Sequence, residues 1–168
     1  AKIHDIVRTA VLKAEEVIKP GIPVCDIDKQ ARDYIDEMGY TKYWGVRLGH
    51  FIGQDDHEFG DVSPINHNPA AVGNIFSIEP GIYIEGSHGV RLENELLVRK
   101  GTKNEYGQFM YLEPITLIPM DLDAINPDIM SKEDKKLLND YHAKVYEVIA
   151  PYLNEEEQAW LKEATRAI

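Results

Sequence analysis

Two histidines and two glutamates are spaced so that they could share one site. His50 and His57 lie between glycines in the stretch GHFIGQDDHEFG, seven residues apart. Glu79 and Glu93 each lie among apolar residues in FSIEPGIYIEGSHGVRLENELLV, which reads as two strands. An ionised carboxylate in apolar surroundings is costly unless a cation or strong donors compensate it. Two carboxylates and an imidazole could therefore share one cation site.

Each of these residues taken alone has a simpler interpretation. A single histidine is more often a satisfied core or surface group than a metal ligand, and a buried carboxylate is often paired with an arginine. Arg91 lies close to both glutamates in the sequence and could be that partner. The combination of residues, and no single member of it, favours a cation site.

The composition limits the class of protein. The chain has 168 residues, of which 43% are hydrophobic and 28% charged, and this suits a compact domain with a sizeable core. A net charge of −11 without a basic run argues against nucleic-acid binding. The apolar stretches fall far short of the roughly 20 residues that span a membrane. No signal-peptide pattern opens the chain and the single Cys25 excludes an internal disulfide, so we expect a cytoplasmic protein.

Helical periodicity dominates both ends of the chain. Residues 2–38 predict two helices that are separated at KPGIP, with Gly39 as a left-handed stop after the second. From Ser131 the pattern is helical again, with Ser131 and Asn154 as N-caps and Pro151 ending the longer helix. The positions predicted to face the core are Ile3, Ile6, Val7, Ala10, Val11, Ala14, Val17 and Ile18, then Ile27, Ala31, Tyr34, Ile35 and Met38, and then Leu137, Leu138, Tyr141, Val145, Val148 and Ile149.

The middle of the chain has a different pattern. Residues 40–119 contain short runs of Tyr, Val, Ile and Leu that are separated by Gly, Asn and Pro, which is typical of strands and tight connections. Helices on both sides of a strand-rich middle predict an α+β fold.

Several motifs, in this order, resemble the pita-bread metallopeptidases, the family of methionine aminopeptidase, prolidase and aminopeptidase P. They are G-H-x-I-G-x-x-x-H-E, S-I-E-P-G-I-Y and G-V-R-L-E-N. The short spacing of the two glutamates and the tail Y-L-E-P-I-T-L-I-P-M-D-L-D, followed by L-N-D-Y-H, are similar to aminopeptidase P, in the proline-specific branch. The resemblance implies a partial pita-bread fold: residues 1–119, with two N-terminal helices and a curved, mainly antiparallel sheet, form the C-terminal part of the catalytic domain. Residues 120–168 would be a helical extension packed on it.

The resemblance also implies a role for each candidate residue. His50 and Glu79 would each ligate a metal, and Glu93 would bridge the two metals of a dinuclear centre. His57 would contact the substrate and steady the tetrahedral intermediate, while Glu79 would also act on the water between the metals. Arg91 would fix the carboxylate geometry. The implied reaction removes an N-terminal residue that precedes proline from a peptide, with manganese as the expected metal and zinc or cobalt as substitutes.

Two departures from the family pattern bear on activity. The family completes a five-ligand site with two aspartates on a hairpin upstream of the first helix, and the sequence begins at Ala1, after that place. We therefore expect the chain alone to hold at most one ion weakly and to be inactive or nearly so. Val46 stands where proline-specific members commonly have a substrate-contacting histidine, which predicts a different orientation of the scissile carbonyl or reduced catalysis.

Other functions stay open beside the aminopeptidase. Pita-bread folds also occur as metal-free modules that bind peptides or proteins, and prolidases of the same branch cleave Xaa-Pro dipeptides. Retention of the full set of candidate residues favours an enzyme, because a binding module has no physical need for them. We also expect a homodimer, because a sheet without its hairpin exposes edge backbone and apolar surface and because the tail resembles the dimerising region of the family's long forms.

The remaining histidines and the cysteine have no predicted part in the chemistry. We expect His67 in a surface loop, His88 in the turn between the glutamate-bearing strands, and His4 and His142 facing solvent from helices. Cys25 is expected to be a buried or neutral thiol without a base partner.

Overall fold

The computed structural model describes residues 2–19 and 21–168, which divide into two compact units, one that ends at Thr116 and one that spans Leu117–Ile168. Pro20, part of the predicted break between the first two helices, lies outside the described residues. The described part of the chain forms four α-helices and seven strands, which confirms the α+β class. In chain order they are α1 (Lys2–Glu16), α2 (Val24–Glu37), β1 (Gly49–His50), β2 (Asp61–Val62), β3 (Ile75–Ile78), β4 (Gly81–Ile84), β5 (His88–Arg91), β6 (Asn94–Asn104), β7 (Gly107–Pro114), α3 (Lys132–Ile149) and α4 (Glu155–Ala164). No helix among these residues has both the length and the apolar character that a membrane crossing requires.

Helices α1 and α2 bury the predicted apolar stripes in the core of the first unit. Gly39 ends α2 with φ +83°, and its N–H donates to the carbonyl of Asp36 at 2.9 Å, as the left-handed stop predicts. Met38 was predicted to face the core, and this is wrong, because its side chain is 37% exposed. Met38 is the C-cap residue of α2, which ends at Glu37, and at this last position of the helix its side chain is left partly in solvent. The fully buried members of the two stripes are Val7, Ala10, Ala14, Ile27, Ala31 and Ile35.

The strands of the first unit form three small antiparallel sheets. β3 pairs with β6, β6 with β7, β1 with β2, and β4 with β5. Two backbone hydrogen bonds join the β1 segment to β3, from the N–H of Glu79 to the carbonyl of Leu48 (2.8 Å) and from the N–H of Ile52 to the carbonyl of Ile75 (3.1 Å). The core beneath these strands includes Phe76, Ile78 and Leu96, so His50, in β1, and Glu79, directly after β3, have an apolar support.

The second unit contains α3 and α4, and its helix caps are as predicted. The Ser131 hydroxyl accepts a hydrogen bond from the Asp134 N–H at 3.0 Å, and Asn154 forms a capping box with Glu157. Pro151 lies in the short turn that follows α3.

The predicted inner face of α3 needs three corrections. Leu137 and Val148 are 58% and 38% exposed, whereas His142, which we expected in solvent, is fully buried. The Nε2 atom of His142 accepts a hydrogen bond from the Met120 N–H at 3.0 Å. The buried stripe is therefore narrower than the apolar pattern and is centred on His142 and Val145. A polar residue with a buried partner cannot be recognised from hydrophobic periodicity alone.

Candidate metal centre

Glu79 and Glu93 lie opposite each other at a break between paired strands. At the end of the β3–β6 pair Ile78 lies opposite Asn94, and the β4–β5 pair continues the same antiparallel register beyond the break. This register places Glu79 opposite Glu93. Pro80 lies within the break, and it has no N–H with which to continue the ladder. The sequence predicted two strands here, and the structure has four, β3 to β6. Both glutamates lie in the break between the two strand pairs and not within a strand.

The structure brings three of the predicted site residues together. One ligand atom each of His50, Glu79 and Glu93 lies within 4.8 Å of the others, and no second group of this kind occurs in the described part of the chain. The exposed fractions of the three side chains are 6%, 17% and 36%. The cluster is therefore closed on the His50 side and open on the Glu93 side.

The imidazole of His50 is oriented by a backbone contact. Its Nδ1 lies 3.2 Å from the carbonyl oxygen of Phe51, which can only accept a hydrogen bond, so Nδ1 carries the proton. Nε2 then presents its lone pair to Oε1 of Glu79 at 3.3 Å. Two acceptors at this distance require a positive charge between them, which a metal ion or a second ring proton supplies.

Arg91 stands between the two carboxylates. Its Nε lies 3.1 Å from Oε2 of Glu93 and 3.7 Å from Oε2 of Glu79. A hydrogen bond with the Tyr83 side chain, followed by the charge of Glu93, raises the pKa of Arg91 above its ordinary value. The guanidinium therefore supplies one positive charge to a site with two negative ones, and its side chain is 52% exposed.

His57 lies beside His50. Its ring centroid is 3.9 Å from that of His50, with the two planes at 79°. The loop between the two histidines folds back, with the Glu58 N–H donating to the Phe51 carbonyl at 2.9 Å. His57 itself is exposed, so a bound molecule could reach it.

The segment that leads into β1 is held by a group that the sequence analysis missed. Arg32 forms two 2.8 Å hydrogen bonds with the fully buried Asp28, stacks over the Trp44 ring at 4.2 Å, and donates to the Val46 carbonyl at 3.2 Å. The side-chain hydrogen bond with Asp28 raises the pKa of Arg32. The i, i+4 spacing of Asp28 and Arg32 was the available signal. Val46 itself is 49% exposed.

Two further residues behind the cluster were also missed. Ser77, two residues before Glu79 in β3, donates to Oε1 of Glu79 at 3.0 Å. The period of two in a strand, which puts both side chains on one face, could have suggested it. Glu15 of α1 has a side-chain hydrogen bond with Asn94, next to Glu93, and burial raises the pKa of Glu15. No local pattern links Glu15 to the glutamates.

The residues that were predicted to have no part in the chemistry are mostly as expected. His4 and His67 are exposed, and Cys25 is buried. His88 is also exposed, but it is the first residue of β5 and not, as was predicted, part of the turn. The expectation that Cys25 lacks a base partner is wrong, because its Sγ lies 3.3 Å from Nδ1 of His67. A backbone hydrogen bond from the Cys25 N–H to the Asn66 carbonyl brings the distant loop to the start of α2.

The three clustered residues fit one divalent ion. Metal–ligand bonds of about 2.1 Å place two ligand atoms at most about 4.2 Å apart. Nε2 of His50 and Oε1 of Glu79, at 3.3 Å, meet this limit, and one ligand atom of each of the three residues lies within 4.8 Å of the others. One imidazole and two carboxylates suit a first-row divalent metal. Arg91 offsets one of the two carboxylate charges, so the cluster keeps a net negative charge that a divalent ion would neutralise.

Comparison with known families decides the assignment. Residues 1–100 match the model of metallopeptidase family M24, and residues 108–168 match the model of the C-terminal region of the same peptidases. The chain belongs to metallopeptidase family M24. This confirms the resemblance to the pita-bread metallopeptidases. M24 membership makes the chain part of a hydrolase family that uses divalent metals.

Individual M24 relatives are consistent with this assignment. An uncharacterized peptidase of Staphylococcus epidermidis is 46% identical over 104 residues, which are 62% of this chain and 29% of that protein. The prolidase of Pyrococcus horikoshii OT3 is 41% identical with a TM-score of 0.56, and the match covers 58% of this chain and 28% of the prolidase. The X-Pro aminopeptidase of Thermotoga maritima MSB8 is 35% identical with a TM-score of 0.60, over 70% of this chain and 31% of that enzyme.

One neighbour matches both units of the chain. The X-prolyl aminopeptidase of Caenorhabditis elegans, described as a cytosolic enzyme with a di-nuclear active site, has a TM-score of 0.76 at 23% identity. The match covers 99% of this chain and 28% of that enzyme. At this level of sequence identity the similarity shows a shared fold and nothing more. The chain thus spans less than a third of the length of each of these four proteins.

Proposed function

We propose that this chain carries part of the metal centre of an Xaa-Pro aminopeptidase, which hydrolyses the peptide bond after an N-terminal residue that precedes proline. The observation that carries the proposal is the cluster of His50, Glu79 and Glu93, in which Nε2 of His50 lies 3.3 Å from a carboxylate oxygen of Glu79. The proline-specific motifs and the 35% identity to the Thermotoga aminopeptidase support the substrate class.

In this proposal each residue has a defined task. His50 would hold a metal ion through Nε2, and Glu79 and Glu93 would hold it through carboxylate oxygens. Bound metal would supply Lewis acidity, which lowers the pKa of a coordinated water. Glu79 would also accept a proton from the attacking water at Oε2, the oxygen that Ser77 does not bind and that lies 3.7 Å from Nε of Arg91.

His57 and Arg91 act on either side of these ligands. His57 is exposed beside His50 and contacts the carbonyl of the bound peptide. Arg91 keeps the carboxylates of Glu79 and Glu93 in place. Manganese is the metal that we propose, because a carboxylate-rich set with one imidazole suits hard divalent ions; zinc or cobalt would use the same ligands.

The chain alone is expected to be inactive or nearly so. The cluster offers three protein ligands in the described residues, and a dinuclear centre needs more. The activity therefore belongs, in this proposal, to the full-length gene product.

The test is an assay of the full-length gene product with Mn²⁺ on tripeptides that have proline in the second position. We expect release of the first residue, and loss of that activity in Glu79→Gln. Glu85→Gln, in the exposed turn between β4 and β5, is the control and should retain activity. Intact Xaa-Pro peptides together with absent metal binding would contradict the proposal.

A prolidase activity is the nearest alternative. It is favoured by the 41% identity to the Pyrococcus prolidase over 58% of the chain. The same assay separates the two, since a prolidase cleaves Xaa-Pro dipeptides and leaves tripeptides intact.

A non-catalytic module that binds peptides or proteins is a second alternative. The observation in its favour is Arg91, which can partly neutralise both carboxylates without a metal. In that case Mn²⁺ would not bind to the full-length product, and proline-containing peptides would bind without being cleaved.

Assembly and location form a separate part of the proposal. A homodimer is supported by Phe109 and Tyr111, which are 46% and 52% exposed at alternate positions of β7. Light scattering should give a dimer mass, and a monomer at every concentration would contradict this.

A cytoplasmic location is supported by the cytosolic Caenorhabditis neighbour.

A further inference from the structure

Ser77 is a polar residue in the middle of an apolar strand. It lies in β3 between Phe76 and Ile78, and all three side chains are fully buried. A hydroxyl in such a place lowers stability unless it has hydrogen-bonding partners. The partners of Ser77 therefore indicate what the position is for.

The Ser77 hydroxyl connects two of the three clustered residues. Its Oγ accepts a hydrogen bond from the backbone N–H of His50 at 3.0 Å and donates its proton to Oε1 of Glu79 at 3.0 Å. The directions are fixed, because an amide N–H can only donate and an ionised carboxylate can only accept. A hydroxyl does both at once, and the methyl group of alanine does neither.

The same two contacts orient the imidazole and the carboxylate relative to each other. Oε1 of Glu79, the oxygen that Ser77 binds, is the oxygen that lies 3.3 Å from Nε2 of His50. The bond to the His50 N–H fixes the backbone from which this imidazole projects. One hydroxyl thus restrains both sides of the contact.

Gly49 provides an independent observation of the same coupling. A Cβ atom at Gly49 would lie 1.8 Å from the backbone oxygen of Ser77. β1 and β3 therefore approach more closely here than any residue with a side chain would permit. This close approach brings the N–H of His50 within hydrogen-bonding distance of the Ser77 hydroxyl.

We propose that Ser77 is a positioning residue, whose hydroxyl holds His50 and Glu79 in the arrangement that binds a divalent metal ion. The inference rests on the proposed function, since it assigns Ser77 to the metal centre. Loss of a group that orients metal ligands typically weakens metal affinity about 10- to 100-fold. A serine with only a structural role would change the stability of the protein and leave the metal affinity of the folded form unchanged.

The test compares Ser77→Ala, Ser77→Thr and Ser63→Ala in the 168-residue chain. Ser63 is a matched control, because it is also buried, at 6% exposure, and donates to a carboxylate, Oδ1 of Asp61 at 2.6 Å, outside the cluster. Each variant is titrated with MnCl₂, and free Mn²⁺ is measured by electron paramagnetic resonance. Ser77→Ala is expected to weaken Mn²⁺ binding by about tenfold or more. Ser77→Thr, which keeps the hydroxyl, and Ser63→Ala should bind Mn²⁺ as the wild type does.

Amide hydrogen exchange in the metal-free chain is the second readout. The His50 N–H should exchange faster in Ser77→Ala than in the wild type, while the buried Val98 N–H, bonded to the Asn74 carbonyl at 2.9 Å, should not change. If Ser77→Ala does not fold, Ser77→Cys, with a weaker donor, replaces it and should show the same two effects.

Two results overturn the inference: an unchanged Mn²⁺ affinity in the folded Ser77 variant, or unchanged exchange at His50. A wild-type chain that binds no Mn²⁺ contradicts the proposed function instead. Exchange at His50 then still decides whether Ser77 holds the two residues together.

Discussion

Glu79 faces Glu93 across a break in an antiparallel strand pair, and Nε of Arg91 lies within 3.7 Å of a carboxylate oxygen of each. Two like charges in opposed positions destabilise a sheet. A fold that keeps them there gives up stability for a site that attracts cations. Arg91 supplies one positive charge, which leaves a net negative charge in the cluster that a divalent ion would neutralise.

Arg91→Gln should make the metal-free chain less stable and also weaken its stabilisation by metal. Because Arg91 is half exposed, we expect a loss of no more than about 1 kcal/mol in the free energy of unfolding without metal. Mn²⁺ should then stabilise the variant less than the wild type, because Arg91 no longer keeps the carboxylates of Glu79 and Glu93 in place. Urea unfolding with EDTA and with Mn²⁺ measures both.

Arg99→Gln is the matched control for Arg91. Arg99 pairs with Glu113 across β6 and β7 and is also half exposed. Arg99→Gln should lower the free energy of unfolding by a similar amount. Mn²⁺ should stabilise this variant as much as it stabilises the wild type. Mn²⁺ stabilisation of Arg91→Gln that equals or exceeds that of the wild type would show that Arg91 competes with the metal and does not support it.

Gly49→Ala should disrupt the junction of β1 and β3. The new Cβ would lie 1.8 Å from the Ser77 carbonyl oxygen and 2.7 Å from its carbon, and the backbone must move. We expect a loss of about 3 kcal/mol, or failure to fold. Gly45→Ala is the control, because a Cβ there meets nothing within 4 Å, and its stability should stay within about 0.5 kcal/mol of the wild type. Equal urea midpoints for the two variants would refute the close approach.

Arg32→Ala should leave the fully buried Asp28 without its cation. Breaking a buried pair on one side costs about 3 kcal/mol, and the segment from Trp44 to Val46 would also lose its anchor. Lys29→Ala on the same helix removes the exposed pair with Asp33 and should leave stability nearly unchanged. The comparison is made by urea unfolding, and an equally small effect of both substitutions would contradict the role of Arg32.

His142 should make stability fall in mild acid. Burial lowers the pKa of His142, and the backbone of Arg166 opposes this shift without making a hydrogen bond of normal geometry. The unfolded chain then binds more protons than the folded one at pH values below about 6.5, so the free energy of unfolding decreases as the pH falls through that range. Urea midpoints between pH 8 and pH 5 measure the slope.

Replacement of His142 isolates its part in this pH dependence. His142→Gln keeps an acceptor for the Met120 N–H and cannot be protonated, so its stability should vary less with pH. His4→Gln, at an exposed position on α1, should retain the wild-type slope. A slope that is the same in all three proteins would rule out His142 as its source.

The elements and the cluster members could be predicted because their signals are local. The apolar stripes of α1 and α2 and the caps Ser131 and Asn154 depend on residues a few positions apart. Glu79 and Glu93 were recognisable as carboxylates in apolar strands. Such local signals can be recognised without knowing how distant parts of the chain pack together.

The contacts that orient the site could not be predicted, because they join residues distant in sequence. Ser77 reaches the His50 N–H only through the close approach at Gly49, and Cys25 meets His67 only because a loop returns to α2. His142 was misplaced for the same reason, since its partner Met120 lies on another segment. Periodicity reports which face is apolar, and it does not report which polar group finds a buried partner.

The binding of Mn²⁺ to the 168-residue chain is the most direct test of the central claim, that His50, Glu79 and Glu93 form a metal centre. We predict weak binding of Mn²⁺ by the wild type, loss of that binding in His50→Ala and in Glu79→Gln, and retention in Glu85→Gln. Absence of binding in the wild type, or binding that survives both substitutions in the cluster, would contradict the claim.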